Sequence, residues 1–229
     1  MLKSQITLAC LAATASIAAM PTVASSLTLT PVPDLGNKIT TPVSVSTTMT
    51  TSTGNVSNLI NDSGLSAPAV CDRAFEPFMN TTTHSGSPGS TGWRGGPTGV
   101  ITFGFSDCPT PINAIGLWQG TDGGGIGATQ LKDFNLYADN DGDFTNGYTS
   151  LFASFTALQT TSPNIGQVGY FGKITTPFVH LEIISNYGGS TTSVGEVIFA
   201  STPEPMTMLG AGAAAGLGAF FKRRAQKKA

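Results

Sequence analysis

The stretch TGVITFGF, residues 98–105, decides the fold. Ile101, Phe103 and Phe105 fall on one side of an extended chain, with Thr102 and Gly104 on the other, the period-two pattern of a strand buried on one face. The same alternation recurs downstream. KDFNLYA (132–138) places Phe134, Leu136 and Ala138 on one face, and SLFASFTA (150–157) does so with Leu151, Ala153 and Phe155. INAIGLWQ (112–119), VGYFGKI (168–174), FVHLEII (178–184) and GEVIFA (195–200) complete the set. Turns rich in Gly, Pro, Asn and Asp separate these runs, and no helical crossover stands between them, so the spacing predicts an all-β sandwich of two packed sheets.

The rest of the composition agrees. Only 10% of the 229 residues are charged, against about 25% in an average soluble chain. The formal net charge is −2, and five of the eleven Lys and Arg residues crowd into the last eight positions, which leaves no basic face for nucleic acid. At the start, Lys3, the apolar run Ile6–Ala19 and the small residues Thr22-Val23-Ala24-Ser25 have the order of an export signal with its cleavage region, residues 1–25. Cys10 lies inside that signal. Cys71 and Cys108 remain as an even pair, for which an oxidising compartment favours a disulfide; two unpaired thiols are the alternative. Residues 26–54, rich in Thr and broken by Pro, read as an extended lead-in with a first strand.

The C-terminal stretch TPEPMTMLGAGAAAGLGAFFKRRAQKKA runs from Thr202 to Ala229. Met206–Phe221 carries no charge, and as a helix its sixteen residues span about 24 Å, short of the roughly 30 Å hydrocarbon core. Phe220 and Phe221 suit an interface, and the basic cluster from Lys222 would stay cytoplasmic, with the main domain outside.

Seven motifs occur in order over residues 55–200: NLINDSGLS, GWRGG with Trp93, VITFGF, INAIGLW ending in Trp118, KDFNLYADNDGDFTNG, FVHLEIISNYGGS and GEVIF. Together they resemble the discoidin, or coagulation-factor type C, domain, a galactose-binding-like jelly roll. The turn FSDCPTPIN departs from the pattern of that family. The resemblance implies Trp93 and Trp118 in the packed body, and a loop end where Tyr187, with Asn186 beside it, could meet a ligand. It also implies a structural calcium ion between an early loop and the closing strand, at Asn61, Asp62 and Glu196; turn formation and a strand-edge charge are the plainer roles of these residues.

Residues 201–229 resemble the PEP-CTERM sorting signal of Gram-negative bacteria, in its cyanobacterial form: Pro203, Glu204 and Pro205 match the motif, Met206–Phe221 the helix, and Lys222, Arg223 and Arg224 the basic stop. The resemblance implies recognition by an exosortase, a membrane protease, after transient residence in the inner membrane. A plain uncleaved anchor is the alternative.

Other candidates carry less. Asp139, Asp141 and Asp143 alternate in ADNDGDF, but Gly142 falls at the wrong position for an EF-type loop and no Glu follows at its twelfth place, so the stretch reads as a hairpin turn. His180 should point away from the core with Glu182, in a surface or cross-strand role, and His84 should lie in the flexible stretch TTTHSGSPGS. The glycines of GTDGGGIGA precede no helix and read as a loop. No nucleophile elbow, Cys–His pair or HExxH motif is present, so no enzyme is expected. The expectation is therefore an exported surface or matrix protein whose non-catalytic sandwich binds carbohydrate. Its alternatives are a structural matrix module or a plain membrane-anchored protein without a tight ligand. A glycan-active enzyme or an ice-binding protein fits less well, since repeated Pro interrupts the Thr-rich region from Thr28 to Thr53.

Overall fold

The computed structural model describes residues 25–105, 110–121, 127–147, 149–161 and 164–202. The expected signal helix, the C-terminal helix and the sorting residues lie outside them, as does Cys108. Among the described residues no helix is long and apolar enough to cross a membrane.

Two antiparallel sheets pack face to face, as alternation on seven segments requires. One runs Ser150–Thr156, Asp133–Asp139, Phe178–Ile183, Gly99–Gly104, Ser44–Thr47, with Ser25–Ser26 added at its first edge. The other centres on Thr192–Ser201, flanked by Thr110–Gln119 and then Gln167–Thr176 on one side, and by Trp93–Gly95 and Lys38–Thr40 on the other. Ile101, Phe103 and Phe105 point inward as their spacing predicts. Phe199 of the opposite sheet receives both phenylalanines edge-on, with ring centroids 5.4 and 5.3 Å away. Phe134, Leu136, Ala153, Phe155, Val179, Leu181 and Ile183 fill the same core.

Alternation fails where strands bulge, and one such place moves a predicted core residue. The register between the strands at 133–139 and 150–156 shifts after Leu136, which opposes Ala153, so that Tyr137 opposes Leu151 and Phe152 is the extra residue of a bulge. Leu151, expected inside with Ala153, is turned out and stands 42% exposed.

The centre of the second sheet, above all Thr192–Ser201, is buried on both faces. Its outer side is covered by a short helix, Phe75–Thr81, and by the chain before it. Phe75, Phe78 and Met79 share one helical face and meet Trp118, Ile198, Ala200 and Ala114 in a second core. This layer is absent from the sequence reading, because the helix has no side-chain cap and Pro77 stands near its start. Both tryptophans are fully buried, as the resemblance implied.

Residues 25–54 are more than a lead-in. They supply strands to both sheets and belong to the folded body. Ser25–Ser26 runs parallel to Phe155–Thr156, and Thr28–Leu29 then pairs antiparallel with Gln167–Val168. Leu27, between them, is 2% exposed and packs into the central core. This strap closes the side of the sandwich where the two outermost long strands face each other. Cys71 is exposed, its Sγ 3.3 Å from Thr41 Oγ1, and meets no other cysteine among the described residues; its expected partner Cys108 lies outside them.

Leu27→Ala should lower stability by about 2–4 kcal/mol by opening a void in that seam. A denaturant melt showing no loss would mean that the strap does not seal the core.

Candidate functional site

The resemblance directs attention first to Asn61, Asp62 and Glu196. The early loop turns sharply, with Asp62 in the left-handed region at φ 63°. The Asp62 N–H donates to Glu196 Oε1 at 3.3 Å, joining loop to closing strand as expected. Several neighbouring oxygens are otherwise engaged. Asn61 is exposed and spends Oδ1 on the Ser63 N–H, while Asp62 Oδ1 accepts the Ala69 N–H. The carbonyls of Ser63 and Thr91, which also face this region, both accept from His84 Nε2, at 2.7 and 3.1 Å. Glu196 Oε2 is left buried without a partner. The carboxylate oxygens not spent in these bonds, Glu196 Oε2 and Asp62 Oδ2, fall far short of the six to eight oxygens that calcium requires, and no group of three His, Cys, Asp or Glu residues that could hold a metal occurs among the described residues. The arrangement does not fit a calcium ion.

His84 is thus not on a flexible surface loop. It is fully buried, with Nδ1 accepting the Gly86 N–H at 2.7 Å. Burial also governs Glu196, pushing its carboxyl up to about 9, with the nearby Asp62 charge adding to the rise and the Asp62 N–H opposing it.

His180 has the orientation its strand position predicts and a different environment. It points out of the sandwich, yet it is buried, because the loop after Asp139 folds back over the sheet. Phe144 of that loop packs edge-on against the imidazole at 5.2 Å and against Tyr137 at 5.4 Å. Beneath this cover His180 Nδ1 meets Thr102 Oγ1 at 2.8 Å and Nε2 meets Asp139 Oδ2 at 3.0 Å. An Asp–His–hydroxyl relay of this kind activates a nucleophile when substrate can reach the hydroxyl and oxyanion donors face it. Here the side chains of His180 and Asp139 are 0% exposed, so the trio is a tie across three adjacent strands. The rest of ADNDGDF is the expected turn: Asp141 Oδ1 accepts the Asp143 N–H, and Asp143 caps the single helical turn Phe144–Asn146 through the Thr145 N–H. The Thr145 hydroxyl holds the Asp143 carboxyl below its ordinary range.

At the loop end, Asn186 is consumed by its own turn. Its amide donates to Gly189 O, Thr191 O and Thr192 Oγ1, and its carbonyl accepts the Gly188 N–H. Tyr187 donates its hydroxyl to Ala157 O at 2.7 Å, and Lys132 Nζ lies 6.0 Å from the ring centroid. Burial raises its phenol above the ordinary value, and the charge of Asp133 adds to the rise. The ring remains partly open while its polar tip is occupied.

Sequence reading missed a second aromatic surface. Phe152, displaced by the bulge, sits 5.0 Å from Phe171 across the seam between the sheets. With Tyr170 and Ser25 they line a shallow cavity of about 160 Å³ beside the N-terminal strap. Partly open rings suit the apolar faces of sugars.

Two outcomes follow from these environments. His180→Ala and Asp139→Ala should each cost about 2–4 kcal/mol, because either leaves a buried polar partner unsatisfied, and the double variant should cost well below their sum; additive losses would show that the pair is not coupled. For Glu196, the unfolded chain releases its proton near the ordinary value of 4.5 and the folded chain retains it to about 9. The stability this group contributes is complete below the lower value and is lost as pH rises to the upper one. Melts of Glu196→Gln should accordingly fall less than wild type over that interval, and parallel pH profiles would refute a buried neutral acid.

The chain matches no family model and no curated protein. Its fold is similar to solved structures of carbohydrate-binding modules. The CBM32-1, CBM32-2 and M60 catalytic domains of Clostridium perfringens ZmpB align over 84% of this chain and 18% of that one, at 11% identity and TM-score 0.52. The CBM32-1 and CBM32-2 domains of the same protein in complex with GalNAc align over 80% and 41%, at 9% identity and TM-score 0.50. This chain thus spans less than half of either structure, and at such identities what is shared is the jelly-roll β-sandwich itself.

Proposed function

We propose that this is an exported protein of the cell surface or extracellular matrix whose β-sandwich binds carbohydrate without catalysing its cleavage. The observation that carries the proposal is the likeness in fold to modules of which one structure holds GalNAc. The half-open ring of Tyr187 at the loop end and the Phe152–Phe171 pair at the seam are the two surfaces where a sugar face would stack. A terminal galactose or N-acetylgalactosamine residue on a surface or secreted polysaccharide is the ligand class. Sorting rests on the tail: Pro203-Glu204-Pro205, an apolar segment and Lys222-Arg223-Arg224 form an ordered signal for an exosortase-type protease, which releases the domain after transient residence of the tail in the inner membrane.

A second reading is favoured by the burial of both tryptophans and the internal commitment of Asn186. On that reading the sandwich is a sparsely charged structural module of the matrix and binds nothing tightly. An array of galactose- and N-acetylgalactosamine-terminated glycans separates the two. Binding is expected, and either Tyr187→Ala or Phe171→Ala should weaken it about tenfold, a loss of roughly 1.4 kcal/mol, which identifies the surface used. An empty array would leave the structural module. Intact mass of the protein from its host's envelope and medium tests the sorting half: the segment from about Met206 onward should be missing, and its retention would make the chain a membrane-anchored module.

A further inference from the structure

We propose that His84 is a built-in replacement for a structural cation: its imidazole joins the early loop to the loop before Trp93, so that this body folds without a metal. Two main-chain carbonyls far apart in the chain, Ser63 O and Thr91 O, converge on the single atom His84 Nε2. Convergent carbonyls need a positive or hydrogen-bearing centre between them, and unpaired they would be costly where water is excluded. The Gly86 N–H points at Nδ1, which makes Nδ1 the acceptor and places the ring proton on Nε2, shared between the two oxygens.

The surroundings are shaped to the ring. A Cβ at Gly195 would lie 2.8 Å from Nδ1, and one at Gly64 would lie 2.9 Å from Nε2, so a glycine of the closing strand and a glycine of the early loop give the imidazole its room. Gly64 also takes a left-handed φ of 86°, a conformation that side chains disfavour. Burial holds the imidazole below its ordinary range, against the opposing effect of the two carbonyls, which keeps the ring in the neutral form this geometry uses. Two of the side-chain oxygens that an ion would share are spent locally, Asn61 Oδ1 on the Ser63 N–H and Asp62 Oδ1 on the Ala69 N–H. Glu196 stands beside the brace, holding the loop through the Asp62 N–H.

Thermal melts of the full chain in chelator and in calcium test the proposal. The wild type should melt at the same temperature in both. His84→Ala should melt roughly 5–10 °C lower and recover part of that loss in added imidazole, which refills the space with the same N–H donor. A wild-type midpoint that climbs saturably with calcium, as a ligand of the native state requires, would overturn the proposal, and so would a His84→Ala variant as stable as wild type. Should that variant fail to fold, a long-range proton–nitrogen spectrum of the wild type decides instead. A ring locked with its proton on Nε2 and slow to exchange is expected; a proton on Nδ1, or rapid exchange, refutes the brace.

Discussion

The strand Thr192–Ser201 is buried on both faces along nearly its whole length, and the remainder of the fold is arranged to make that possible. A strand covered on one side needs one opposing sheet; a strand covered on both needs a third layer. Val194, Val197 and Phe199 meet the first sheet, while Ile198 and Ala200 meet the helix Phe75–Thr81 and the chain leading to it. The bulge between Val194 and Glu196 re-phases the strand between these two obligations. It also turns Glu196 toward the early loop, so the same irregularity that reconciles two cores brings loop and strand together.

How much of this is legible in the sequence depends on whether a side chain's environment is set by its own strand or by a distant segment. Ile101, Phe103, Val179 and Leu181 face inward because alternation on a pleated backbone leaves no other choice, and the sandwich follows from them. The outward direction of His180 is equally local. Its burial is not, since that comes from Phe144 in a loop whose path alternation does not specify. His84 is the stronger case. It lies among Thr, Ser, Gly and Pro residues that read as loop, but Thr83–His84 is a short strand paired with Asn164–Ile165, and loops from either side of it close over the ring. Asp62 and Glu196, which the resemblance groups, meet through the Asp62 N–H, while the imidazole of His84 beside them could not be placed there from its own neighbours in sequence.

The aromatic residues divide in the same way. Trp93 and Trp118 have the strand positions of core residues and are core residues. The exposure of Phe152 is the product of a register shift that no pattern of single residues announces, because the extra residue is defined only by its partner strand. The candidate stacking surface at the seam was therefore invisible until the pairing of two strands was known.

The last described residue, Thr202, is exposed yet tied to the body through its side chain. Its hydroxyl donates to Asn37 Oδ1 at 2.8 Å and accepts from the Asn113 amide. Pro203-Glu204-Pro205 follows Thr202 directly in the sequence. Tension applied at that point runs along an inner strand that has ladder partners on both sides, and it loads their hydrogen bonds together in shear instead of peeling an edge one bond at a time. A domain joined at this strand is mechanically suited to be held by its end.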